Sequence, residues 1–128
     1  MTRPAYADEA RARWGQTEAF RQSQRRAASY TPSDWEEIKR QTNALEARVA
    51  GAMREGWPPE SVIAMDLAEA HRDLLSRWFY DCSPGLHCSL GSMYVDDPRF
   101  TAHYDERAPG LAAYLCAAIH ANADRVED

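Results

Sequence analysis

Trp78-Phe79-Tyr80-Asp81-Cys82-Ser83-Pro84-Gly85-Leu86-His87-Cys88-Ser89-Leu90-Gly91-Ser92-Met93-Tyr94-Val95-Asp96-Asp97-Pro98-Arg99-Phe100 is the stretch on which the reading of this 128-residue chain turns. It brings five aromatic rings, two of the three cysteines and one of the four histidines into one segment, a mixture rarely spent on a plain core helix. Ser83-Pro84-Gly85 interrupts it once and Asp97-Pro98 interrupts it again. Pocket walls combine apolar rings with a few polar groups where they turn a corner. A helix end that packs well uses the same residues, so the stretch alone leaves both readings open.

Toward the C-terminus the pattern stays helical. A short helix is expected from Leu86 to Val95, and another, capped by Asp97-Pro98, through about Glu106. Ala108-Pro109-Gly110 opens the last helix, whose core face is Leu111, Tyr114, Leu115, Ala118, Ile119 and Asn122. His120 falls opposite that face, and the charged tail after Ala123 is expected to fray.

Toward the N-terminus, a helix from about Glu60 to Asp81 presents Ile63, Leu67, Ala70, Leu74 and Trp78 on one side. His71 lies on that apolar side, above Leu74 and Leu75. A histidine there is either a satisfied core residue or part of a pocket wall. Trp57-Pro58-Pro59 is a rigid corner. Before it, Thr31-Pro32-Ser33-Asp34 has the cap, the first-turn proline and the acidic residue of a helix start. Trp35, Ile38, Thr42, Leu45, Val49 and Ala52 then form one stripe, ended by Gly56. Helices at Tyr6–Trp14 and Glu18–Ala28 are poor in aliphatic residues, so residues 1–30 are expected to hold weakly and to act as a flap. No alternating β-branched run occurs, so the fold class is all-α, in one domain spanning residues 1–128.

Composition excludes several functions. Fifteen basic against twenty acidic residues give a net charge of −5, which disfavours a grip on nucleic-acid backbone. The arginines between Arg11 and Arg26 alternate with Asp8, Glu9 and Glu18 and read as a solvated face. No apolar run approaches bilayer length, the first residues lack a signal core, and three cysteines suit reduced thiols. A cytoplasmic chain with no membrane partner is expected. Cys82, His87, Cys88 and His71 lack zinc-motif spacing, so no metal is expected. No phosphate loop or dinucleotide fingerprint is present, and no cofactor is expected. A nucleophile at Cys82, Cys88 or Ser89 would need a base, and the adjacent His87 faces away from Cys88 on a helix, so an enzyme is not expected.

Blocks in order along the chain carry a family resemblance. They are Arg13-Trp14-Gly15, Ser29-Tyr30-Thr31, Asp34-Trp35, His71-Arg72, Phe79-Tyr80-Asp81-Cys82, Leu90-Gly91-Ser92-Met93-Tyr94-Val95, Asp97-Pro98-Arg99-Phe100-Thr101, Ala108-Pro109-Gly110-Leu111-Ala112 and Ala118-Ile119-His120-Ala121-Asn122-Ala123. Together they resemble the TipAS antibiotic-recognition domain over nearly the whole chain. The resemblance implies an all-α, globin-like domain with a deep cleft for bulky, largely apolar peptide antibiotics. In that family the domain follows a MerR-type DNA-binding domain or stands alone and sequesters the drug. This chain has no room for the DNA-binding part, so no direct nucleic-acid contact is expected. The main expectation is capture of a thiopeptide-like antibiotic by a monomer or weak homodimer. The alternative is a ligand-sensing effector domain of a MerR-type regulator.

Rings at Trp14, Tyr30, Trp78, Phe79, Tyr94, Phe100 and Tyr104 are the candidate ligand contacts, each worth about 1.5–3 kcal/mol when buried. His71, Arg72 and His87 are the candidate polar contacts. Some members of the family capture the drug covalently through a cysteine. Aligned on Tyr80-Asp81-Cys82 and Leu90-Gly91, that position falls on Ser89, with Cys88 one residue earlier and about 100° around a helix.

Overall fold

The computed structural model describes residues 18–126, and among these six helices and no strand occur. The expected helix at Tyr6–Trp14 lies outside the described residues. Helix α1 covers Glu18–Ala28, with Glu18 at its positive end and Arg25 and Arg26 at its negative end. Helix α2 covers Pro32–Arg54. Its start is a reciprocal cap: Asp34 N–H donates to Thr31 Oγ1 at 3.1 Å, and Thr31 N–H donates to the Asp34 carboxylate at 3.0 Å. Replacing Thr31 by Ala is expected to cost about 1 kcal/mol, read as a lower urea midpoint at unchanged slope.

Helix α3 is Val62–Trp78, shorter at both ends than the periodicity suggested. Ser61 caps it by accepting from Ala64 N–H at 3.2 Å, and the backbone of Phe79 leaves the helical region. Helix α4 is Pro84–Asp96. Ser83 Oγ accepts from Leu86 N–H at 3.1 Å with Pro84 at the first position, so the triplet read as an interruption is a helix start. Asp97 closes α4 and caps helix α5, Pro98–Arg107. Gly110, at φ 87°, turns the chain into helix α6, Leu111–Val126.

The centre of the molecule is α4 packed on α6. Gly91 makes that approach close: a carbon placed on it would lie 3.3 Å from Ile119 Cδ1 and 3.5 Å from Cys116 Cα. Leu111, Leu115 and Ile119 are fully buried there, together with His87 and Asn122. Helix α3 covers α6 from one side and α2 lies against α3, while α5 packs on α4 and α6. Polar contacts tie α1 to the end of α3: Arg26 donates to the Ser76 carbonyl at 2.6 Å and pairs with Asp81, and Gln22 accepts from Asp81 N–H at 2.7 Å.

Two residues assigned to buried faces are exposed. Trp35 and Ile63 are each 43% exposed. Both stand in the first turn of a helix that overhangs the core. In α3 the buried positions are Ala64, Leu67, Ala68 and His71; Leu67 and His71 lie on the expected face, while Ala70, Leu74 and Trp78 are half-buried.

Candidate functional site

Four helices leave a cavity of about 480 Å³ between them. Thr42, Leu45 and Glu46 face it from α2, and His71, Leu74 and Leu75 from α3. Phe79 closes the C-terminal end of α3, Tyr94 comes from α4, and Arg99, Phe100, His103 and Tyr104 come from α5. The lining is mostly apolar with a few convergent polar groups, which is the composition of small-molecule sites.

The aromatic wall is continuous. Tyr94 packs on Phe100 and Tyr104 with ring centres 5.7 and 5.0 Å apart, and His71 meets Tyr94 edge-on at 6.1 Å. Burial raises the phenols of Tyr94 and Tyr104 well above the ordinary value, so both keep their protons. Phe79 carries the wall outward to Trp35 at 6.3 Å, and Tyr30 stands edge-on to both Trp35 and Trp78 at 5.6 Å. Tyr30 donates its hydroxyl to the Trp78 carbonyl, and the Trp78 indole donates to Gln41 Oε1 at 2.9 Å. These outer rings are half-buried or exposed and border the cavity rather than line it.

Behind the wall, His71 Nδ1 and His87 Nε2 are 2.8 Å apart, with rings stacked at 5.1 Å. The two residues are 7% and 1% exposed, so a charge on either ring would be poorly solvated. Burial lowers His71 to about 4. Burial first, then the charge of His71 and of Arg72, lowers His87 to about 3. Near neutral pH both are uncharged, and one ring nitrogen donates to the other.

The opposite edge is polar. Glu46 is buried, 3.3 Å from His103 Nε2 and 3.5 Å from Arg107 Nε. Asp97 receives both Nε and Nη2 of Arg99, at 3.1 and 2.9 Å.

Of the sequence candidates, His71, Phe79, Tyr94, Phe100 and Tyr104 line the cavity. Tyr30 and Trp78 stand beside it, and His87 backs it through His71. Arg72, Cys88 and Ser89 are not among the lining residues. Arg72 is held by Glu69 and by the Cys82 carbonyl at 2.8 Å, and Ser89 is exposed and donates to the Gly85 carbonyl at 3.4 Å. Trp14 lies outside the described residues. Burial raises the Cys82 thiol to about 12 and the Cys116 thiol above its ordinary value, so neither is a ready nucleophile. Among the described residues no cluster of metal-binding side chains occurs, and no helix is long and apolar enough to cross a membrane.

Glu46 was missed by the sequence reading, and a signal for it existed. Counting in fours from Ile38 gives Thr42 and then Glu46, which places a carboxylate on the apolar stripe of α2. Arg99 and His103 join the cavity only because α5 folds back over α4, and no local spacing foretells that.

Comparison with known proteins bears on this architecture directly. The model of the TipAS antibiotic-recognition domain matches residues 6–122. The transcriptional activator TipA of Streptomyces coelicolor is 48% identical over 120 residues, covering 94% of this chain and 47% of that protein. The transcriptional activator mta of Bacillus subtilis is 32% identical over 123 residues, 96% of this chain and 47% of its own. The chain thus spans about half the length of these regulators. The structure of TipAS from Streptomyces lividans in complex with nosiheptide, described as a thiopeptide multidrug resistance system, superposes with a TM-score of 0.89 at 47% identity, over 96% of this chain and 86% of that one. The antibiotic-binding domain of a TipA-class multidrug resistance regulator superposes at 0.67 with 45% identity, over 73% of this chain and all of its own. The all-helical, globin-like fold is common to all three, and the chain belongs to the TipAS antibiotic-recognition domain family.

Proposed function

We propose that this domain binds a bulky, largely apolar peptide-type antibiotic of the thiopeptide kind in the cavity between α2, α3, α4 and α5, and holds it without a chemical step. The observation that carries the reading is the lining: Tyr94, Phe100, Phe79 and Tyr104 around about 480 Å³, extended outward by Trp35 and Tyr30. That volume receives part of such a ligand, and the exposed outer rings offer area for the rest. The thiols support capture without reaction. Cys82 and Cys116 are held protonated, and Cys88 is not among the lining residues. Helix α1 and Tyr30, tied to the end of α3 through Gln22, Arg26 and the Tyr30 hydroxyl, serve as a flap over the bound drug. The setting for such a sequestering protein is the cytoplasm.

A second reading rests on the chain spanning half of its regulator relatives. In it, the same cavity senses the drug for a MerR-type regulator, and binding is reported to a partner segment or a second copy. The two readings share the ligand and differ in the consequence of binding: the drug is withheld in one and signalled in the other.

Titration of nosiheptide followed by tryptophan fluorescence tests the shared part. Saturable quenching is expected, since Trp35 and Trp78 border the cavity, with an unchanged intact mass after removal of free drug. A mass increase equal to the drug would replace simple capture by covalent capture. Replacing Leu74 by Trp puts an indole into the wall and is expected to weaken binding at least about tenfold by calorimetry, with the fold retained. Wild-type affinity in that variant would move the binding site away from this cavity.

A further inference from the structure

Glu46 stands out among the cavity residues. It is a carboxylate whose side chain is 7% exposed, on the apolar face of α2, and it lines the cavity. A buried carboxylate normally gathers short charge-assisted hydrogen bonds, near 2.7–2.9 Å, to offset lost hydration. Its side-chain neighbours fall short of that: His103 Nε2 at 3.3 Å from one oxygen and Arg107 Nε at 3.5 Å from the other. Two carboxylate oxygens can accept about four hydrogen bonds. The site therefore has acceptor capacity left over where water has been largely excluded.

On the reading that the cavity takes a peptide-type ligand, we infer that Glu46 is its specificity-determining acceptor, receiving an amide N–H of a ligand whose rings lie against Phe79, Phe100 and Tyr94. Charge selects an amide over an ammonium group. Arg107 already stands beside Glu46, and Arg99 lines the same cavity, paired to Asp97. A cationic ligand would add a third positive group to an edge that is already neutralised. A neutral N–H completes the carboxylate without changing the charge. A purely apolar ligand would leave Glu46 dehydrated with long contacts and would be selected against.

The test compares three probes on the wild type, Glu46→Gln and Arg107→Ala. The probes are nosiheptide, pyrene, which has no hydrogen-bond donor, and pyrenemethylamine, which is cationic. Glu46→Gln is expected to weaken nosiheptide by about tenfold or more, the size of a lost hydrogen bond to a charged group, and to bind pyrene at least as tightly as the wild type. Arg107→Ala, which removes a neighbour outside the cavity lining and keeps the carboxylate, is expected to hold nosiheptide at least as tightly as the wild type. Equal nosiheptide affinity in wild type and Glu46→Gln overturns the inference and leaves the antibiotic reading intact. Equal losses in Glu46→Gln and Arg107→Ala overturn it in favour of a structural role. Glu46-dependent preference for pyrenemethylamine over pyrene, with nosiheptide unaffected, overturns the choice of amide over cation. A wild type that takes up pyrene and no nosiheptide overturns the antibiotic reading, and this inference with it.

Discussion

Between pH 8 and pH 5 the domain is expected to lose about 4 kcal/mol of stability through His71 and His87. In the unfolded chain both imidazoles titrate near 6.5, whereas in the folded protein burial lowers them to about 4 and about 3. Below 6.5 the unfolded state therefore binds more protons, and stability falls as pH falls. It is fully present above the unfolded value and declines toward the folded ones. Each group contributes up to about 1.4 kcal/mol per pH unit, so two groups over one and a half units give the stated loss. Small domains hold only about 5–15 kcal/mol in total, so melting near pH 5 becomes easy. A protonated pair would also set two N–H donors against each other at 2.8 Å, which no local adjustment relieves in a stacked, dry site.

Carboxylates act in a different window. Hydrogen bonds from Arg72 and Asn122 hold Glu69 below its ordinary value, so its contribution is lost only as pH falls below the usual carboxylate range. Thermal melts followed by circular dichroism separate the two. A fall of roughly 15 °C between pH 8 and pH 5 is expected for the wild type. It should largely vanish in the double variant His71→Leu with His87→Leu, because replacing both partners leaves no unsatisfied nitrogen. A wild-type melting temperature that does not move between pH 8 and pH 5 would mean that the pair is solvated or already charged in the folded state.

The same pair shows what the sequence could and could not disclose. Periodicity placed His71 on an apolar face because the face belongs to a single helix. Its partner, sixteen residues on, sits on another helix, and no spacing rule connects them. The helix starts at Thr31 and Asp97 were legible because caps are local chemistry. The start at Pro84 was read as a break, since serine and proline signal both a stop and a beginning and only the chain on either side decides which. Five of the twelve candidate residues line the cavity. Those are the ones on inward faces of α3, α4 and α5 and at the C-terminal end of α3. Cys88 and Ser89 were named from an alignment, and their neighbour His87 takes the inward position of that turn. The family resemblance identified the class of site. It could not tell Glu46 from any other charged residue, because that role depends on how α5 closes over α2.

Placing a methyl group on Gly91 is expected to destabilise the domain, although the same change at Gly51 should stabilise it. Both glycines lie inside helices, where alanine is favoured by about 1 kcal/mol. At Gly51 nothing lies within 4 Å of the added carbon, so the helical gain stands alone and the expected shift is about +1 kcal/mol. At Gly91 the added carbon meets Ile119 Cδ1 at 3.3 Å, Ile119 Cγ2 at 3.4 Å and the Cys116 backbone at 3.5 Å. Ile119 is fully buried and the other neighbour is backbone, so neither can move aside without shifting α6. Overpacking of this kind costs about 1–3 kcal/mol, which exceeds the propensity gain, so a net loss of about 1 kcal/mol is expected for Gly91→Ala and about 3 kcal/mol or more for Gly91→Leu. Urea unfolding of the three variants reads these signs. The effect reaches the site because α4 carries Tyr94 on the cavity wall and His87 behind His71. Gly91→Ala should therefore weaken nosiheptide while Gly51→Ala leaves it unchanged, even though neither residue lines the cavity. A stabilised Gly91→Ala protein would show that α4 and α6 slide apart at little cost. The cavity wall would then be a compliant surface rather than one held in place by the contact between the two helices.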